Sequence, residues 1–122
     1  MALKRLPART KAKPAKRRPA GSGFCPRFHR AVELIGRRWT GAILRALMGG
    51  PQRFNELLAI VPNLSDRLLS ERLRELEAEG LVRREVASGP PVSVHYELTS
   101  SGRALQPVMD GLGAWAERFI SA

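Results

Sequence analysis

After Lys16 the sequence contains no lysine, and its 122 residues include one cysteine and one tyrosine. A single thiol excludes an intrachain disulfide framework and fits a reducing compartment. The only histidines, His29 and His95, are far apart, which argues against a metal site within one chain. No metal and no cofactor is expected. No apolar run approaches the ~18 residues that would span a membrane, and no charged-then-apolar leader is present. The Arg17-Arg18 pair has no apolar segment behind it, which argues against an export signal. Together these absences point to a cytoplasmic protein with no membrane partner.

What is present is enough for one domain with one core, since 43% of the residues are hydrophobic. The net charge of +10 is unevenly placed. Residues 1–20 carry eight cations (Lys4, Arg5, Arg9, Lys11, Lys13, Lys16, Arg17 and Arg18) and no acid. The remainder sets 13 arginines against 11 acids, so the folded part is only mildly basic. Any reading of nucleic-acid binding therefore rests on where its arginines lie. With prolines at 7, 14 and 19 and no apolar periodicity, residues 1–23 are expected to form a disordered basic arm, and residues 24–122 the folded domain. The prolines also break the amphipathic face that a mitochondrial presequence would need.

Within the domain, "CPRFHRAVELIG" reads as a first helix, with Cys25 as its cap, Pro26 at its first position and an apolar stripe of Phe28, Ala31, Val32 and Ile35. "WTGAILRALMGGP" reads as a second, turning Trp39, Ile43, Leu44 and Leu47 inward and stopping at Gly49-Gly50-Pro51. "RFNELLAIVP" gives a short third helix with Asn55 as the expected cap. In "LSDRLLSERLRELEAEG", Leu64, Leu68, Leu69, Leu73 and Leu76 share one side of a fourth helix, capped by Ser65 and with Asp66 in its first turn. Its opposite side holds Arg67, Ser70, Glu71 and Arg74. The period then changes to two across "LVRREV" and "VSVHYEL", a hairpin with a Gly-Pro-Pro tip, in which Arg84 shares parity with Val82 and Val86. The last segment starts at Thr99 and runs helically to the end, with Leu105, Val108, Leu112, Trp115 and Phe119 on one stripe and a kink expected from Pro107 and Gly111.

A short helix, a tight turn, a second helix with a polar outer face and a two-stranded hairpin form the order of a winged helix-turn-helix. The expected class is mainly α with a small β-hairpin wing. The major groove admits one α-helix, whose side chains near the N-terminus read base edges. Ser65, Asp66, Arg67, Ser70, Glu71 and Arg74 are thus candidate DNA-binding residues, Asp66 and Glu71 as acceptors from cytosine amino groups. Arg37, Arg38, Thr40 and Arg53 lie at helix starts, where phosphate contact and a solvated or core-covering role both fit. Arg83, Arg84 and His95 on the hairpin carry the same two readings.

The runs "CPRFHRAVELIGRRWT", "GGPQRFNELLAIVPNLSDRLLSERLRELEAEGLV" and "VHYELTSSGRALQPVMDGL" together resemble the HxlR family of bacterial transcriptional regulators over about residues 24–120. The resemblance implies a homodimeric DNA-binding protein whose first and last helices, here carrying Phe28, Leu105, Val108, Leu112, Trp115 and Phe119, form the dimer interface. It also implies a candidate redox sensor, because some such regulators sense oxidants or electrophiles through a cysteine at the position of Cys25. Arg27, His29 and Arg30 nearby would favour its thiolate, whereas a small capping and packing residue is the plain alternative. The basic arm lies outside the family pattern.

Cys25 and His29, four residues apart, invite comparison with a nucleophile–base dyad. No third orienting group, Gly-rich oxyanion loop or substrate cleft accompanies them, so no enzyme is expected. The reading that results is a sequence-specific regulator, a repressor in preference to an activator. Its partners would be double-stranded DNA, a second copy of the chain and a small-molecule or redox effector. Two rivals remain open: a winged helix used for protein assembly, and an architectural protein dominated by its arm.

Overall fold

The computed structural model describes residues 23–122. The expected basic arm lies, but for Gly23, outside the described residues. The elements run α1 (Pro26–Ile35), α2 (Thr40–Met48), α3 (Phe54–Ile60), α4 (Asp66–Ala78), β1 (Val82–Ala87), β2 (Ser93–Leu98), α5 (Ser100–Arg103) and α6 (Gln106–Phe119). This is a winged helix-turn-helix, mainly α with a small antiparallel wing.

Local chemistry explains the helix starts. The Cys25 Sγ accepts from the Phe28 N–H at 3.4 Å, Ser65 Oγ from Leu68 N–H at 3.1 Å, and Thr99 Oγ1 from Gly102 N–H at 3.2 Å. Asn55 is not a cap. Arg53 has the extended backbone of the cap position, and Glu56 reaches back to accept its N–H at 2.7 Å. The start is drawn back to Phe54 because that ring packs against the core.

The core is a single cluster in which Ile43, Leu44 and Leu47 of α2 meet Leu57 of α3 and Leu69, Leu73 and Leu76 of α4. Leu81, Val82 and Leu98 extend it under the base of the wing, and Met109 closes it from α6. The expected leucine face of α4 is therefore the face that docks. Helix α1 differs: none of its residues is buried, and only Leu34 and Ile35, near its C-terminal end, pack against the cluster.

The final segment is not one kinked helix. It breaks after α5, where Leu105 N–H tightens onto Gly102 O at 3.1 Å before α6 begins at Gln106. Pro107 explains the position of the break. It has no N–H to offer the carbonyl four residues back, yet costs nothing in the first turn of a new helix. Helix α6 then passes through Gly111 unbroken.

The wing pairs Val82 with Leu98, Arg84 with Tyr96 and Val86 with Val94. Val92, expected to open the alternation, belongs instead to the tip and is exposed. The parity of Arg84 is explained by depth: Val82 is buried and Val86 is 53% exposed, so this face leaves the body between them. A third piece of sheet was not readable from the pattern. Gln52 and Tyr96 exchange both backbone hydrogen bonds, at 3.0 and 2.8 Å, tying the approach to α3 onto the wing.

Candidate nucleic-acid interface

Helices α3 and α4 are joined through Val61–Ser65, where Asn63 takes a left-handed backbone (φ 66°), a conformation its short polar side chain tolerates. Leu64 is buried in this turn and Ser65 caps the helix that follows. These constraints aim the N-terminal half of α4 outward. Arg67, Glu71 and Arg74 are exposed and Ser70 is half-buried, and at 3.6 residues per turn the four form one stripe. Ser65 and Asp66 are exposed at its leading end, although the Ser65 hydroxyl is already engaged as the cap.

The ion pairs divide the arginines. Arg30 is held by Glu79 at 2.6 Å, Arg37 by Glu75 at 2.8 Å, Arg72 by Glu75 at 3.3 Å and Arg83 by Glu97 at 2.6 Å. Glu75 raises the pKa of Arg37 through their hydrogen bonds and mutual attraction, and Glu97 does the same for Arg83. Glu97 is in turn held below the usual carboxylate range, first by the hydrogen bond from Arg83. Among the described residues no ion pair engages Arg53, Arg67, Arg74 or Arg84, nor Arg27, Arg38, Arg45, Arg103 or Arg118, so the outer face of α4 keeps both of its arginines free of an acid while the arginine on its inner side, Arg72, is paired.

The remaining candidates separate cleanly. Arg53 lines a cleft with Phe54, Asn55 and Glu56 on one side and Val92, Ser93 and Val94 on the other, which brings it together with the wing. Arg84 and His95 do not share a surface. Arg84 pairs with Tyr96, while His95 pairs with Glu85 and lies 3.8 Å from Glu97, on the opposite, acid-bearing face. Thr40 is withdrawn from the set, because packing at the start of α2 leaves it 2% exposed and out of reach of a phosphate. The guanidinium of Arg38 lies over Trp39, 5.0 Å from the ring centroid. Arg72 was missed in the sequence: it is buried, and its Nε donates to the Arg38 carbonyl at 2.9 Å.

A second surface is formed by α1 and α6. Phe28 and Val32 of α1 and Val108, Leu112, Trp115 and Phe119 of α6 are all exposed, and Phe28, Val32, Val108 and Leu112 line an open apolar groove of ≈ 730 Å³ between the two helices. Leu105, assigned to the same stripe, is half-buried and also packs against the chain's own core. Cys25 is exposed at the head of α1, in a cleft with Phe24, Phe28, His29 and Val32. The rings of Phe24 and His29 meet at a tilt of 52° with centroids 5.1 Å apart, and His29 Nε2 lies 3.4 Å from Glu33. No helix among the described residues is long and apolar enough to cross a membrane.

Comparison with known proteins agrees with this geometry. Residues 34–122 match the model of the HxlR-like helix-turn-helix family. The HTH-type transcriptional regulator YvaP of Bacillus subtilis (strain 168) is 48% identical over 99 residues, covering 81% of this chain and 92% of its own. The reduced form of the transcriptional regulator YodB from B. subtilis superposes with a TM-score of 0.73 at 43% identity, covering 81% of this chain and 97% of YodB. YodB has also been solved bound to a quinone, with a TM-score of 0.68 at 42% identity over 78% of this chain and 100% of that one. The redox regulator HypR in its oxidised form gives 0.74 at 38% identity, covering 80% of this chain and 100% of HypR. The chain belongs to the HxlR-like helix-turn-helix family and is a DNA-binding transcriptional regulator.

Proposed function

We propose that the chain works as a homodimeric repressor in the cytoplasm, reading a two-fold operator with α4 and closing a promoter by occupying it. The observation that carries this is the sorting of arginines: Arg67 and Arg74 stand without acid partners among the described residues, on a helix whose other side is locked into the core. A cation left unpaired on a reading helix suits guanine and phosphate, where Arg is the commonest specific partner. Asp66 and Glu71 complement it as acceptors. Arg53, in the cleft beside the wing, and Arg84, on β1, would reach the flanking phosphates. The exposed stripe of α1 and α6 supports pairing, since an apolar surface of that extent calls for a partner and the same face on a second copy is self-complementary. A reading face and a pairing face suffice for occlusion of a promoter.

Cys25 is proposed as the point where an oxidant or electrophile acts. Its exposure and its place at the head of a helix on the pairing face support that role. The relatives YodB, solved with quinone bound, and HypR, a redox regulator, supply the chemical class. Modification there would shift the two recognition helices through the dimer. The test is selection of bound genomic fragments followed by affinity measurement. A recovered palindrome with half-sites about one helical turn, ~10 bp, or a multiple apart is expected, bound at least a thousandfold (~10³) more tightly than random duplex. Equal affinity for random duplex would give the architectural reading, and no binding in low salt the assembly one.

A further inference from the structure

Three contacts join the middle of α1 and the turn after it to one side of the recognition helix. Glu79 takes Arg30 at 2.6 Å, and Glu75 takes Arg37 in a two-pronged pair at 2.8 and 3.0 Å. Between them Arg72 donates from Nε to the Arg38 carbonyl at 2.9 Å and from Nη1 to Glu75 at 3.3 Å. Arg72, Glu75 and Glu79 recur at helical spacing, about a third of a turn round α4 from Arg67 and Arg74. The turn that they grip is strained, because Trp39 holds a left-handed backbone (φ 75°) that a bulky residue rarely adopts.

Stability is a poor explanation of this cluster. Ion pairs as exposed as Arg37–Glu75 add little, and burying a guanidinium where an apolar side chain would fit is not a gain. Orientation is a better one. Helix α1 has no buried residue, so little besides Leu34, Ile35 and these contacts fixes its angle to the body. A planar guanidinium gripping a carboxylate with two parallel bonds fixes direction as well as distance. We propose that Arg37, Glu75 and Arg72 are positioning residues for DNA reading, a strut that sets the recognition helix by the placement of α1 and so carries a displacement of α1 to Arg67 and Arg74. This rests on the proposed reading of α4 as the operator-binding helix.

Arg72 is buried and its removal can unfold the chain, so the exposed Arg37 makes the test. Arg37→Gln and the conservative Arg37→Lys would be made in the full chain, because Glu75 also holds the buried Arg72 and cannot be changed without stranding that charge. Binding would be measured on the genomic fragment selected by the wild type and on a random-sequence duplex. Arg37→Gln is expected to lose about tenfold on the selected fragment. Affinity for the random duplex should stay within about twofold, because phosphate contacts are untouched. Arg37→Lys, which keeps a charged contact to Glu75, should recover part of the loss. Amide hydrogen exchange at residues 36–40 should quicken in Arg37→Gln and less so in Arg37→Lys, with global stability held. Wild-type binding by Arg37→Gln, an equal loss on both DNAs, or no recovery with lysine would overturn the strut. A wild type without preference between the two DNAs would instead sink the operator reading, and the exchange rates at residues 36–40 would then decide the strut alone: quickening in Arg37→Gln upholds it and unchanged rates overturn it.

Discussion

Gly102 lies so close against the carbonyl of Leu81 that no methyl group fits between them. The contact clasps α5 to the start of the wing. Thr99 Oγ1 and Ser101 Oγ both donate to the Gly80 carbonyl, at 2.6 and 3.0 Å, and Thr99 N–H bonds Leu81 O at 3.0 Å. Gly102→Ala must part this clasp or push Leu98 aside. It should destabilise the fold by ~1–3 kcal/mol and lower the thermal midpoint by several degrees, read by circular dichroism. An unchanged midpoint would mean that the contact gives way freely.

The pairing face predicts the assembly state. Leu112→Asp or Trp115→Asp places a charge on the stripe of α6 in both copies at once. Each apolar side chain is worth ~1.5–3 kcal/mol when buried, so the dimer should weaken by about a hundredfold or more. Sedimentation at micromolar concentration would show monomer for the variant and dimer for the wild type. A monomeric wild type would remove the two-fold operator from the reading.

Arg74→Ala and Arg67→Ala separate reading from holding. A guanine contact should cost ~1–3 kcal/mol on the operator and relax specificity at one base pair. An equal loss on random duplex would make the residue a phosphate contact.

How far these features could be read from the sequence depends on their range. The leucine face of α4, its cap at Ser65 and its outer arginines obey a local period, and the structure repeats them. Arg72 obeys the same period but reads as one more charge on a solvated helix. Its burial depends on the Arg38 carbonyl, 34 residues away. Thr40 is hidden for the same reason, since only tertiary packing covers a threonine at a helix start. A single-residue strand such as Gln52 has no period to detect. Pro107 was visible as a disturbance, but whether a proline bends a helix or begins one depends on the turn before it.

Cys25→Ser should keep operator binding under mild oxidant or a quinone, conditions under which the wild type is expected to release the operator. Gel retardation with and without reagent checks it, and equal responses would leave the thiol a cap for Phe28. An intersubunit disulfide requires the two Cys25 α-carbons to come within ~7 Å, which mass spectrometry after oxidation would detect as a linked pair.

Deleting residues 1–20 removes eight cations and no acid per chain. If about half contact phosphates, a dimer loses about eight contacts, and the slope of log affinity against log salt should shrink by ~7. Operator and random duplex should weaken together. An unchanged slope would make these residues bystanders, and a loss confined to the operator would make them readers.

The bonds between Gln52 and Tyr96 also have a consequence for solubility. They occupy the outer edge of β2 at Tyr96, so the edge of the wing left open along its whole length is β1, which has no further partner strand among the described residues. Open edges recruit foreign strands, and charge along them is the usual defence. Strand β1 carries Arg83, Arg84 and Glu85 in succession, opposite a second row containing His95 and Glu97. A strand from another molecule docking there would have to desolvate that row. Replacing Arg84 and Glu85 with Val and Thr would leave "VRVTVA", a β-prone run, on an exposed edge, and aggregation through the wing would follow without any loss of the core beneath it.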